Sequence, residues 1–152
     1  MVPLQRLTHV GLCVSDLDRS LGFYRDLLGF RVRDELDVEG EPADRLLRLR
    51  GVKLRAVYLE RDGVTLELLR FASPPGPAPR RRTIHELGLT HLSFRVGDLA
   101  ATLAALRAAG AHVLDDTLIR VEASGAAACF VTDPDGQLIE LVQARIPRAQ
   151  PS

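Results

Sequence analysis

An internal repeat limits what this chain can fold into more than any other feature of its 152 residues. Leu7–Val14 reads LTHVGLCV and Leu89–Val96 reads LTHLSFRV, and each is followed by an Asp-Leu pair and a helical pattern. Further along, Gly63–Leu69 (GVTLELL) resembles Gly136–Val142 (GQLIELV). Each half therefore carries one early histidine and one late glutamate. A chain repeated in this way is expected to fold as two similar modules.

The hydrophobic pattern predicts the element order β-α-β-β-β in each half. Apolar stripes at helical spacing predict helices near Asp16–Leu28 and Asp98–Ala109. Glu39–Pro42 is typical of a turn or loop, and Asp44–Arg50 fits neither a helix nor a strand. The strands are predicted at Leu7–Val14, Phe30–Val38, Val52–Glu60, Val64–Phe71, Leu89–Val96, Val113–Leu118, Ala126–Thr132 and Gln137–Gln143.

Three strands after each helix can pair as an antiparallel meander with the helix on one face. We therefore predict an α+β fold in which two tandem βαβββ modules form a curled eight-stranded mixed sheet. This sheet would be a cup with the helices on its outer face. The predicted divisions are a first module at 1–71, a Pro- and Gly-rich linker at 72–88, a second module at 89–143 and a loose tail at 144–152. The Arg80–Arg82 run in the linker is expected to be solvated, with a phosphate or carboxylate contact as the alternative.

The composition excludes several classes of function. The chain has 20 basic and 20 acidic residues, so its charge gives no reason to expect nucleic acid or an anionic membrane as a partner. No apolar run is long enough to span a bilayer, and the first residues lack the apolar region of a signal peptide. Cys13 and Cys129 lie in apolar strand-like segments without disulfide or zinc-finger spacing, so we expect both to be buried thiols in a cytoplasmic protein.

The repeated histidines and glutamates are candidate metal ligands. Taken singly, a histidine on a strand is usually a hydrogen-bonded structural residue, and a glutamate on a strand usually faces water. Independent surface residues have no reason to follow the internal symmetry, however, and a glutamate between leucines is costly to bury unless something binds it. Two imidazoles and two carboxylates suit a divalent ion such as Ni, Co, Mn, Fe(II) or Zn. We predict one ion per site, held on the inner face of the cup by His9, Glu67, His91 and Glu140.

The sequence resembles the vicinal oxygen chelate superfamily, which includes glyoxalase I, methylmalonyl-CoA epimerase, extradiol dioxygenases and the fosfomycin and bleomycin resistance proteins. The resemblance runs from Leu7 to about Gln143. Three segments carry it: LTHVGLCVSDLDRSLGFYRDLLGF, LTHLSFRVGDLAATLAALRAAG and FVTDPDGQLIELVQ. It implies paired βαβββ modules, metal ligands on the first and fourth strand of each module, a small-molecule substrate and a homodimer. The His-Glu-His-Glu order matches the glyoxalase I pattern.

The resemblance favours a glyoxalase I-like lyase or isomerase, or an epimerase. The ion would bind two adjacent substrate oxygens and stabilise an enediolate. Glu67 or Glu140 would be the catalytic base. Ser93 and Arg95 share the face of His91 and are the predicted substrate-binding residues, although a salt bridge at the rim is an equal alternative for Arg95.

Other members of the superfamily suggest two alternatives. An Fe(II) dioxygenase would need only His9, His91 and Glu140, and a non-catalytic binding or resistance protein would need no metal.

The sequence lacks a characteristic feature of each of the named enzymes. The epimerases' acidic residue before the Gly-Val of the third strand is missing from Arg48–Val52 (RLRGV), the glutathione-contacting region of glyoxalase I is not matched, and the dioxygenases' additional histidine has no clear counterpart in His85 or His112. The sequence also leaves open whether a site lies within one chain or is shared by two subunits.

Overall fold

The computed structural model describes residues 2–78 and 83–144. The chain divides into two compact units, Met1–Pro79 and Arg80–Ser152. Each unit contains one four-stranded mixed sheet, so the eight strands are hydrogen-bonded as two sheets of four. The predicted α+β class and its two βαβββ modules are confirmed. The Arg80–Arg82 run and the predicted tail beyond Ala144 lie outside the described residues.

In the first unit, the sheet has the strand order β1-β4-β3-β2. β1 is parallel to β4, and the other neighbouring strands are antiparallel. The elements are β1 (Val10–Cys13), α1 (Leu17–Leu21), a π-helical turn (Gly22–Leu27), β2 (Arg31–Glu39), α2 (Glu41–Leu47), β3 (Lys53–Arg61) and β4 (Val64–Ser73).

The second unit repeats this topology, with the strand order β5-β8-β7-β6 and β5 parallel to β8. Its helix α3 packs against β6, β7 and β8. The elements are β5 (His91–Arg95), α3 (Leu99–Ala108), β6 (His112–Val121), β7 (Ala126–Thr132) and β8 (Leu138–Gln143). In the part of the chain that the structure describes, no helix is long and apolar enough to cross a membrane.

The last strand of each unit has one buried face and one face that carries a glutamate. Leu66 and Leu68 on β4 are fully buried, as are Ile139 and Leu141 on β8. Because side chains alternate along a strand, Glu67 and Glu140 point to the opposite face. The core therefore fixes which side of each sheet displays its carboxylate.

The helix α2 was not predicted, and the interpretation of Glu39–Pro42 as a loop is wrong from Glu41 onward. Pro42 stands in the first turn, where a missing N–H costs nothing. The helix ends at Arg48, which has a left-handed conformation with φ 56°. Its apolar side packs in a cluster of Ala43, Val52, Leu54, Val38, Leu47, Leu69 and Phe71.

Two further predictions need correction in the first unit. The segment Asp16–Leu28 is not one α-helix, because a π-helical turn follows α1 and the Leu28 N–H donates to the Phe23 carbonyl five residues back at 2.9 Å. The wider turn brings Phe23 into the core beside Tyr24. Cys129 is buried as expected, but Cys13 is exposed, because it shares the face of His9 rather than that of the core.

Candidate metal centre

The parallel pairing of first and fourth strands brings one histidine and one glutamate together in each unit. His9 directly precedes β1, and His91 is the first residue of β5. Glu67 pairs with Gly11 across the β1–β4 ladder, and Glu140 pairs with Ser93 across the β5–β8 ladder. The distance from Nε2 to the glutamate Oε2 is 3.2 Å for His9 and 3.7 Å for His91.

A threonine holds the other nitrogen of each imidazole. Thr8 Oγ1 lies 3.2 Å from His9 Nδ1, and Thr90 Oγ1 lies 2.9 Å from His91 Nδ1. A hydroxyl can donate to Nδ1 or accept from it, so it serves either tautomer of the ring. Nε2 is thus the nitrogen directed at the carboxylate in both units, and it can bind an ion while Nδ1–H donates to the threonine.

An aromatic ring on the next strand stands edge-on to each histidine. Tyr58 on β3 lies 5.5 Å from His9 between ring centroids, with 72° between the planes. Phe130 on β7 lies 5.6 Å from His91, with 88° between the planes. Each histidine thus packs against one aromatic ring, and the two halves share this contact.

The two glutamates have different hydrogen-bond donors. Tyr58 donates its hydroxyl to Glu67 Oε1 at 2.5 Å. Ser93 donates its hydroxyl to Glu140 Oε2 at 2.7 Å. The hydrogen bond to Glu67, helped by partial burial, raises the pKa of Tyr58 to about 12. The phenol therefore stays protonated, and remains a donor, at neutral pH.

The surroundings of the two carboxylates also differ. The side chain of Glu67 is 14% exposed and that of Glu140 is 27% exposed. Leu69 shares the face of Glu67 and packs in the apolar cluster that includes residues of α2. Within its described residues, the second unit has no helix between its second and third strands, so this covering is a feature of the first half alone.

Comparison with known proteins agrees with this arrangement of paired modules. The sequence model of the Glyoxalase/Bleomycin resistance protein/Dioxygenase superfamily matches residues 6–141. The chain belongs to this superfamily.

Curated relatives in the superfamily include named enzymes. The chain is 28% identical over 146 residues to the lactoylglutathione lyase of Haemophilus influenzae, covering 91% of this chain and 92% of the relative. It is 27% identical over 148 residues to the ethylmalonyl-CoA/methylmalonyl-CoA epimerase of Cereibacter sphaeroides, covering 91% and 97%. A solved glyoxalase family protein from Bacillus cereus superposes with a TM-score of 0.81 at 26% identity, covering 95% of this chain and 97% of that one.

The structure places the predicted ligands as two pairs, His9 with Glu67 and His91 with Glu140. Among residues 2–78 and 83–144, no group of three or more His, Cys, Asp or Glu side chains has a metal-binding arrangement. Arg95 is exposed on the face of His91 and forms no salt bridge within those same residues. The four-ligand site and the substrate roles of Ser93 and Arg95 therefore stay predictions.

The role of Tyr58 was not predicted, although the sequence contains a signal for it. Asp62 and Gly63 both have positive φ, 52° and 77°, which is the geometry of a two-residue type I′ hairpin loop. Counting back from that loop places Tyr58 opposite Glu67, as the ladder shows. An Asp-Gly hairpin thus predicts this contact once the register is counted.

Proposed function

We propose that this superfamily member is a metal-dependent enzyme of the glyoxalase I and epimerase type. Each half would contribute its His–Glu pair, so that His9, Glu67, His91 and Glu140 hold one divalent ion. The observation that carries the proposal is the repeated construction of the pairs. In both units a threonine engages Nδ1 and leaves Nε2 directed at the carboxylate.

The donor set fits such an ion. Two neutral imidazoles and two carboxylates suit Ni, Co, Zn, Mn or Fe(II), and the carboxylates would balance the ion's charge. A bound ion would supply Lewis-acid chemistry that makes the C–H next to a substrate carbonyl more acidic. Holding the imidazoles through Nδ1 is the part that the chain itself performs.

Proton transfer is assigned to Glu140 rather than to Glu67. Both oxygens of Glu67 are engaged, one by Tyr58 and one facing His9. Glu140 is more exposed, and its Oε1 has no hydrogen-bond partner among the described residues. A carboxylate with a free oxygen can take a proton from the carbon beside a substrate carbonyl and return it.

The substrate class follows from this chemistry and from the named relatives. The substrate would be a small molecule with adjacent oxygens and an acidic C–H next to a carbonyl. Lactoylglutathione and methylmalonyl-CoA are the compounds to test, since relatives are named for them. Arg95, exposed beside Ser93 on the His91 face, could pair with a substrate carboxylate.

The deciding experiment measures metal content together with proton exchange. The purified protein would be analysed for bound metal, and each compound would be incubated with it in heavy water while NMR follows loss of the C–H signal. We expect one equivalent of divalent ion and exchange that needs no dioxygen. A strict requirement for dioxygen would favour the dioxygenase alternative. A metal-free protein without exchange would favour the binding-protein alternative.

We also propose a cytoplasmic homodimer. β2 and β6 are edge strands of their sheets, and each exposes apolar side chains, Val32 and Leu36 on β2 and Ile119 and Val121 on β6. Exposed apolar edges favour association with another chain. Sedimentation velocity should show a dimer, and a monomer at every concentration would contradict this.

A further inference from the structure

Tyr58 gives the two halves different chemistry at a repeated position. Tyr58 lies opposite Glu67 in the β3–β4 ladder, and Phe130 lies opposite Glu140 in the β7–β8 ladder. Both rings stand edge-on to a histidine. The tyrosine alone carries a hydroxyl, and this group donates to Glu67 Oε1 at 2.5 Å. The ring is thus a shared feature, and the hydroxyl is specific to the first half.

This hydroxyl holds Glu67 in one orientation. While Oε1 accepts from Tyr58, Oε2 faces His9 Nε2 at 3.2 Å. The carboxylate cannot rotate about its terminal bond without breaking the hydrogen bond, so Oε2 stays directed at the imidazole. In the second half, the oxygen that accepts from Ser93 is also the one that faces the histidine, at 3.7 Å.

The donor to Glu67 comes from β3, and the residue paired with Glu67 on β1 has no side chain. Gly11 pairs with Glu67 at the position where the second half has Ser93. A Cβ at Gly11 would lie 3.5 Å from Glu67 Oε2, an ordinary van der Waals distance. A side chain would thus fit there, but glycine has none, so β1 supplies no donor to Glu67. The phenol reaches the carboxylate from the other neighbouring strand and occupies only Oε1.

We propose that Tyr58 is a positioning residue that fixes Glu67 as the anchored metal ligand of the first half. This inference rests on the proposed metal-dependent function, and it adds a residue that contacts neither the ion nor the substrate. A hydrogen bond to the carboxylate oxygen that does not bind the ion orients a ligating carboxylate. Loss of such a hydrogen bond typically weakens metal binding about 10- to 100-fold. Tyr58 would contribute to affinity in this way, through Glu67.

The test is Tyr58→Phe, which removes the hydroxyl and keeps the ring beside His9. Co(II) affinity would be measured by competition with a chelator, and the visible absorption of the Co(II)-loaded protein would report ligand geometry without any turnover. We expect affinity to fall about 10- to 100-fold and the absorption bands to change. Tyr24→Phe is the matched control, since Tyr24 is the chain's other tyrosine and is fully buried in the core. It should keep wild-type affinity.

A double variant separates action through Glu67 from a general structural effect. If Tyr58 acts through Glu67, Tyr58→Phe should weaken binding no further in a Glu67→Ala background. An equal loss in both backgrounds would overturn the inference. A second result would also overturn the inference: Tyr58→Phe keeps the wild-type affinity and spectrum while Glu67→Ala binds metal poorly. That result would leave the proposed function intact. A wild-type protein that binds no divalent ion would instead overturn both.

Discussion

At the scale of single residues, the two glutamates show how one repeated position acquires two environments. Glu67 is held at both oxygens and is 14% exposed, whereas Glu140 is 27% exposed and accepts from Ser93 at one oxygen. A carboxylate whose two oxygens both have partners is suited to holding an ion. A carboxylate with an oxygen to spare is suited to moving a proton. The halves therefore have the same fold and can carry different tasks.

We expect Glu67→Gln and Glu140→Gln to fail in different ways. Glu140→Gln should lower the rate of substrate proton exchange about 10²- to 10⁴-fold at saturating metal, because an amide cannot act as the base. Glu67→Gln should chiefly weaken metal binding, and its exchange should largely recover when metal is added in excess. Proton exchange by NMR across a metal titration measures both effects. Recovery of Glu140→Gln by added metal, with no recovery of Glu67→Gln, would reverse the assignment.

The sequence readily predicts the residues that follow its symmetry, whereas Tyr58, which breaks the symmetry, was not predicted. The repeat by itself identifies both His–Glu pairs, and in the folded chain each histidine lies against its glutamate. Tyr58 has no tyrosine counterpart in the second half, so the repeat does not single it out. Its role depends on the hairpin register, which the torsion angles of Asp62 and Gly63 determine.

At the scale of elements, the segments that the sequence predicted poorly are those whose stability comes from tertiary contacts. The helix α2 spans only Glu41–Leu47, too short to be stable by itself. It forms because Ala43 and Leu47 pack against an apolar cluster of the sheet. The π-helical turn similarly depends on the burial of Phe23 and Tyr24 together. The packing of Ala43, Leu47 and Phe23 is not visible in a periodic pattern.

Asp44 should make the stability of this region depend on pH. Its carboxylate accepts from the N–H groups of Val52 at 2.7 Å and Gly51 at 2.8 Å, which ties α2 to the start of β3. These hydrogen bonds lower the pKa of Asp44 below its usual value. A lowered folded-state pKa gives stability that is present above the unfolded value of about 3.9 and is lost as the pH falls through the folded pKa.

We therefore expect Asp44→Ala to unfold at lower urea concentration than the wild type at pH 7. The difference between the two proteins should shrink as the pH falls from about 4 through the lowered folded-state pKa, where the wild-type carboxyl loses its charge. Urea unfolding followed by circular dichroism at several pH values measures this. Asp37→Ala, at an exposed position on β2, is the control. A difference that stays constant down to a pH of about 2 would show that Asp44 does not act through its charge.

At the scale of the whole molecule, the two halves share their topology and differ in what surrounds the site. Both units have a parallel pairing of first and fourth strands, and both place a histidine and a glutamate on the sheet face away from the core. The first adds α2 and Tyr58 on that face, while the second offers Ser93 and Arg95. We infer that metal binding uses the two repeated His–Glu pairs, with Tyr58 as an addition in the first half, and that substrate choice uses Ser93 and Arg95.

Metal binding should stabilise the entire chain against unfolding. An ion that binds only the folded protein, at 100 times its Kd, adds about 2.7 kcal/mol to the free energy of unfolding. For a chain of this size, that is a rise in Tm of about 5–10 °C.

If one ion takes ligands from both units, His9→Ala and His91→Ala should each abolish the whole shift. His85→Ala is the control, because His85 is exposed and outside both pairs, and it should retain the shift. Calorimetry with divalent metal and with chelator measures it. Two transitions, of which only one moves in each variant, would mean that the units bind metal separately, contrary to the proposed four-ligand site.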